Sequence, residues 1–141
     1  GAAVAAALSF APAIANAADA KAKKIENATY YSMTYVTYKS GMEEKALEMV
    51  AEKFIPAAKK AGLKAPIVMH LQTGAWDAAI VFELEGGMAE LEWEISPGSL
   101  KWRAALDELA GGEDKAAALL AEYGSYIATS RTEIGHSHIT P

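Results

Sequence analysis

The stretch "ATYYSMTYVTYK", residues 28–39, constrains this chain more than any other. It is dense in Tyr, Thr and Val, whose branched and aromatic side chains fit a pleated, half-buried surface, so it predicts a strand. Successive residues of a strand point to opposite faces. Tyr31, Met33, Tyr35 and Thr37 therefore share one face, and Tyr30, Ser32, Thr34, Val36 and Tyr38 the other. Both faces carry large aromatic groups, so both must be covered. A two-layer packing with a solvated back does not satisfy such a strand.

The segments that follow supply one cover. Ser40-Gly41 turns the chain into "MEEKALEMVAEKFIPAAKKAG", where Met42, Ala46, Val50, Phe54, Ala57, Ala58 and Ala61 recur at helical spacing and Glu43, Glu44, Glu48, Glu52 and Lys59 fill the other side. This predicts an amphipathic helix ending at Gly62, with Pro56 kinking or dividing it near Ile55. Two apolar runs, 66–73 and 75–84, joined at Gly74, predict a hairpin. In the second run Trp76, Ala78, Ile80, Phe82 and Leu84 are expected on one face. A short helix over 88–95 is expected next. Ser96-Pro97 then has the form of an N-cap followed by proline in the first helical position. A further helix over 113–123, closed by Gly124, and a strand over 125–134 complete the pattern.

The order βαββαβ is the split ferredoxin-like arrangement: an α+β fold with a four-stranded antiparallel sheet and its helices on one face. The second face of strands one and three keeps its apolar groups, and a patch of that kind marks an interface. A two-fold homodimer closing the two sheets face to face, a dimeric α/β barrel, would bury it.

The N-terminus raises a separate question of address. Residues 2–14 are almost wholly apolar, and Ala15-Asn16-Ala17 has the small-x-small form that signal peptidase accepts. Residues 1–17 are thus expected to be a partial signal peptide, lacking the Met and basic region that normally precede it. Residues 18–27 are expected to be a linker, and 28–141 the domain. The expected localisation is periplasmic or secreted, in a bacterium, with no membrane association after cleavage. Ala is also the best helix former, so an N-terminal helix of the folded protein is the other reading. After the signal about 120 residues remain, enough for one domain with its own core. Against 18 acidic residues there are 13 basic ones, clustered only at Lys21, Lys23 and Lys24, which argues against nucleic acid as a partner. There is no cysteine, hence no disulfide, thiol nucleophile or cysteine-bound zinc.

The chain resembles the dimeric α/β-barrel superfamily, and within it NIPSNAP-like domains. The likeness rests on "TYVTYKSGMEEKALEM", on Pro56 and Gly62, on "LQTGAWDAAIVFELEG" and on "LKWRAAL", and covers about residues 29–134. It implies a homodimer with a cavity between sheet and helices or between the two sheets. Relatives in the superfamily include monooxygenases, haem degraders, haem peroxidases and lactone isomerases, so the resemblance does not select a reaction. The haem degraders' Asn, Trp and His set has no clear match.

Candidate site residues follow from their chemistry. His70, in "VMHLQ", shares a strand face with Val68 and Gln72 and is the candidate general base, with a hydrogen-bonded structural His as the alternative. Tyr31, Tyr35, Trp76 and Gln72 are candidate walls for a flat apolar ligand, or ordinary packing. Arg131 is placed to bind a carboxylate bidentately or to pair with a nearby Glu. Trp93 and Trp102 are expected in the core. His136-x-His138 has the period of a strand, which, if the strand extends that far, places two imidazoles on one side as metal ligation requires, with a third ligand to come from His70 or a carboxylate; a solvated or dimer-contact tail is the alternative, and no cofactor is otherwise expected. Two functions follow. One is an exported small-molecule-binding protein. The other is a cofactor-free monooxygenase or isomerase acting on an apolar or aromatic compound.

Overall fold

A computed structural model describes residues 18–138. The expected signal peptide, 1–17, lies outside the described residues. Residues 18–27 carry no helix or strand and are exposed.

Four strands and four α-helices follow: β1 (Thr29–Tyr38), α1 (Glu43–Met49), α2 (Ile55–Lys60), β2 (Ile67–His70), β3 (Ala78–Leu84), α3 (Pro97–Ala110), α4 (Glu113–Tyr126) and β4 (Ile127–Ser137). The strands form one antiparallel sheet in the order β2-β3-β1-β4. This is the ferredoxin-like α+β fold predicted from the sequence.

Register separates the two faces of the sheet, because directly opposed residues share a face. Val36 lies opposite Ala78 and Ser130, Thr34 opposite Ile80 and Thr132, and Ser32 opposite Phe82 and Ile134. Val36, Tyr38 and Ala78 are buried against Ala46 and Leu47 of α1, so this is the helix-covered face. Tyr31, Met33 and Tyr35, with Ala79, Val81, Ile67 and Met69, occupy the other face, which no helix of the described chain covers. A second core lies between helices, where Leu106 of α3, 1% exposed, packs with Ala57, Ala105 and Ala116.

The first helix is divided near Ile55, as predicted from Pro56: between α1 and α2 the chain runs through a π turn, Val50–Phe54, closed by the Ile55 amide donating to the Val50 carbonyl. Proline has no N–H to return to the carbonyl four residues back, and its ring crowds that carbonyl. The wider i→i+5 turn absorbs the conflict one residue before the proline. Gly124 does not close the last helix. The helix runs on to Tyr126, held by the Ser125 hydroxyl donating to the Glu122 carbonyl and the Tyr126 hydroxyl donating to the Glu122 carboxylate, both at 2.6 Å. Its strand accordingly starts later and reaches Ser137.

The hairpin connection is longer than a turn at Gly74. The Asp77 amide donates to the Val36 carbonyl, and the Asp77 carboxylate accepts from the Tyr38 amide at 2.8 Å, so β3 begins only at Ala78. Trp76 lies outside the strand, escapes its alternation and packs at a tilt of 46° against Tyr35 of the uncovered face, ring centroids 6.1 Å apart. The segment expected as a helix over 88–95 is a 3-10 turn, Gly87–Glu92. Trp93, expected in the core, follows that turn and is 58% exposed. The start of α3 is as predicted: Ser96 is extended, its hydroxyl accepts from the Ser99 amide at 3.0 Å, and Pro97 takes the first helical position.

Candidate functional site

The principal concavity lies between the covered face of the sheet and the helices, with a volume of about 770 Å³. Its floor is built by strand residues that register places side by side: Thr34, Val36, Ile80, Phe82 and Ser130. The helical wall is aromatic. Phe54, brought inward at the end of the π turn, meets Trp102 of α3 and Tyr123 of α4 edge-to-face, with ring centroids 5.7 and 5.2 Å away. The Trp102 indole N–H donates to the Phe54 carbonyl at 3.0 Å, tying α3 to the helix containing the wide turn. Edge-to-face contacts set the positive ring edge against the negative face of the neighbour and fix the relative tilt of the three rings.

Polar groups of this region answer one another. The part-buried Tyr38 and Tyr123 hydroxyls are 2.9 Å apart, and on the exposed part of the sheet face those of Thr34 and Thr132 are 3.0 Å apart. Burial pushes the Tyr38 hydroxyl far above the usual tyrosine range, and the bond to Tyr123 adds to the effect. Burial raises Tyr123 as well. Both phenols are therefore neutral at physiological pH. Among the described residues no buried side-chain polar atom lacks a partner. The walls thus ask for no hydrogen bond from an occupant, and the concavity suits a hydrocarbon or aromatic body.

Charge sits only at the mouth, where Lys64 pairs with Glu83, and Glu85, Glu90 and Lys101 line the rim. The bond to Glu83 raises the Lys64 ammonium above its ordinary value. Trp93 also borders the mouth.

The residues singled out from the sequence fall elsewhere. Tyr31, Tyr35 and Arg131 lie on the uncovered face, Tyr35 directly opposite Arg131 in register, and Trp76 packs against Tyr35 there, so the structure does bring these four to one side of the sheet. Arg131 pairs with Glu133, N to O 2.6 Å. His70 ends the edge strand β2 on the helix side, opposite Ala78, and is exposed; Gln72 follows it, its amide 3.4 Å from the His70 carbonyl. None of these six lines the concavity, and neither does any histidine. His136 and His138 stand together at the end of β4, their Nε2 atoms 3.3 Å apart. Among the described residues no group of three or more metal-type ligands occurs.

Phe54, Phe82, Trp102 and Tyr123 are the wall residues that sequence reasoning did not propose as a site. Phe82 carried a signal in the alternation Ala78, Ile80, Phe82. Tyr123 did not, because its place is set by tertiary contacts with Tyr38 and Phe54, 85 and 69 positions earlier.

No family model and no curated protein matches the chain. Solved structures do. A NIPSNAP family protein of unknown function from Agrobacterium tumefaciens aligns over 80% of this chain and 91% of its own, at 13% identity and a TM-score of 0.52. A second NIPSNAP family protein from the same organism aligns over 76% and 90%, at 16% identity and a TM-score of 0.46. An uncharacterised NIPSNAP domain protein from Burkholderia xenovorans aligns over 80% and 93%, at 9% identity and a TM-score of 0.44. With the sheet order, the helix placement and the first of these alignments together, the chain has the ferredoxin-like fold seen in a NIPSNAP family structure.

Proposed function

We propose that this chain is an exported small-molecule-binding protein that holds an apolar or aromatic ligand between its sheet and helices and works as a homodimer of the α/β-barrel type. The observation that carries the reading is the concavity itself: about 770 Å³, within the range of ligand pockets, walled by Phe54, Trp102, Tyr123, Ile80 and Phe82 and charged only at its rim. Export is supported by the apolar run and Ala-Asn-Ala site of residues 1–17. No helix among the described residues is long and apolar enough to cross a membrane. Dimerisation is supported by the uncovered sheet face, where Ile67 and Met69 are 61% and 46% exposed beside Tyr31, Met33 and Tyr35. Self-complementary pairing of two such faces is the two-fold solution to that exposure.

Fluorescence titration with N-phenyl-1-naphthylamine, a neutral aromatic probe, tests the binding reading. Wild type should take up one probe per chain saturably and quench Trp102. Ser130, an exposed floor residue opposite Val36, can accept a larger side chain without disturbing the buried core. Ser130→Trp should weaken binding at least about tenfold, equivalent to about 1.4 kcal/mol. Non-saturable uptake by wild type, or equal affinity in Ser130→Trp, refutes the site.

A further inference from the structure

His136 and His138 belong to neither the concavity nor the uncovered face. His136 is the penultimate residue of β4 and lies opposite Tyr30, whose ring packs against its own with centroids 5.3 Å apart. His138 follows the strand end, and its ring stands at 89° to that of His136, centroids 4.9 Å apart. Residues two apart on a strand project to the same side, so the pair is a direct product of the period-two backbone. Their Nε2 atoms converge to 3.3 Å.

At that separation the two rings share a long N–H···N hydrogen bond in the absence of an ion, and the same separation fits a shared ligand. Two nitrogens bound to a tetrahedral ion at about 2.0–2.1 Å sit about 3.3 Å from each other, the edge of that tetrahedron. Both rings are exposed, so an ion reaches them without opening the fold. His136 is held by the β1–β4 ladder beneath it and by Tyr30 at its side, so much of the ordering that a flexible His-x-His tail must undergo on binding is already done.

We propose that His136 and His138 form a two-imidazole chelate for a borderline divalent cation, Zn²⁺ or Cu²⁺, with the remaining coordination positions filled by water. Imidazole nitrogen favours these ions, whereas Ca²⁺ and Mg²⁺ require oxygen cages. The lack of a third histidine or carboxylate in reach among the described residues makes the site open and exchangeable rather than a closed structural centre. The site is independent of the concavity and stands or falls without it.

The test is isothermal titration of the untagged protein with ZnCl₂, with CuCl₂ followed in parallel by electron paramagnetic resonance. One ion per chain is expected, Cu²⁺ tighter than Zn²⁺, and nitrogen hyperfine structure from two imidazoles in the copper spectrum. His136→Ala and His138→Ala should each lower affinity at least tenfold, and His70→Ala should leave it within twofold. His138 lies beyond the strand, so its substitution leaves the ladder intact and separates loss of a ligand from loss of folding. Affinity unchanged in either single variant, Mg²⁺ binding as tightly as Zn²⁺, or the absence of stoichiometric uptake by folded wild type overturns the proposal.

Discussion

The Tyr38–Tyr123 hydroxyl pair is the place where the covered face of the sheet, the last helix and the ligand wall meet, and a double-mutant cycle measures what it contributes. Tyr38 is 5% exposed, while Tyr123 is half-buried and borders the concavity, so the two single variants differ in what they strand. Tyr123→Phe leaves the Tyr38 hydroxyl without its 2.9 Å partner in a dry setting and should cost about 1–2 kcal/mol. Tyr38→Phe leaves the Tyr123 hydroxyl, which water in the concavity can reach, and should cost about 0.5–1 kcal/mol. The double variant removes both ends of the bond and should cost less than the sum of the two, with a coupling of about 1 kcal/mol.

For a domain of this size each kcal/mol moves Tm by roughly 3–5 °C, and urea melts read by far-UV circular dichroism give the three free energies directly. The linkage to pH supplies an independent readout. Burial holds both folded phenols above the unfolded value of about 10. Their contribution is therefore fully present below pH 10, and is lost as pH rises above it, because the unfolded chain releases phenolic protons that the folded chain keeps. Wild type should lose stability between about pH 10 and 11.5 more steeply than the double Phe variant. Additive single variants, with coupling below about 0.3 kcal/mol, or an alkaline slope unchanged in the double variant, would refute the reasoning.

Other expectations follow from the packing. Leu106→Ala should cost about 2–5 kcal/mol in a thermal melt, since the side chain is 1% exposed among three alanines that cannot expand to fill the space. Val81→Glu places a charge at the centre of the uncovered sheet face, in register with Met33 and Ile67. On the proposed face-to-face dimer it should shift sedimentation velocity from a dimeric to a monomeric species with little loss of monomer stability, and an unchanged dimer, or a monomeric wild type, would refute that interface.

Sheet, helix order and the α3 cap were legible because each rests on a local period or a local chemical rule: the β1 alternation, the Ser96-Pro97 pair, the glycine turns at Gly41 and Gly62. The site was less so. Which face of β1 the helices cover cannot be read from a strand with aromatics on both sides, and the tyrosines nominated as ligand walls, Tyr31 and Tyr35, lie on the uncovered one. Trp76 was assigned by extending an alternation past the residue, Asp77, whose side chain ends the strand by bonding the Tyr38 amide. Phe54 and Trp102 become wall residues through a tertiary contact, an indole bonded to a main-chain carbonyl 48 positions earlier, that no window of sequence contains.

The π turn before Pro56 works as a phase shifter for the helix. Adding a residue to one turn rotates everything downstream by about 100° relative to an unbroken α-helix. With that offset Ala57 and Ala58 face inward, at 0% and 6% exposure, and Lys59 and Lys60 face outward. The wide turn and the proline that follows it therefore fall together between Val50 and Pro56, directly ahead of the buried Ala57 and Ala58.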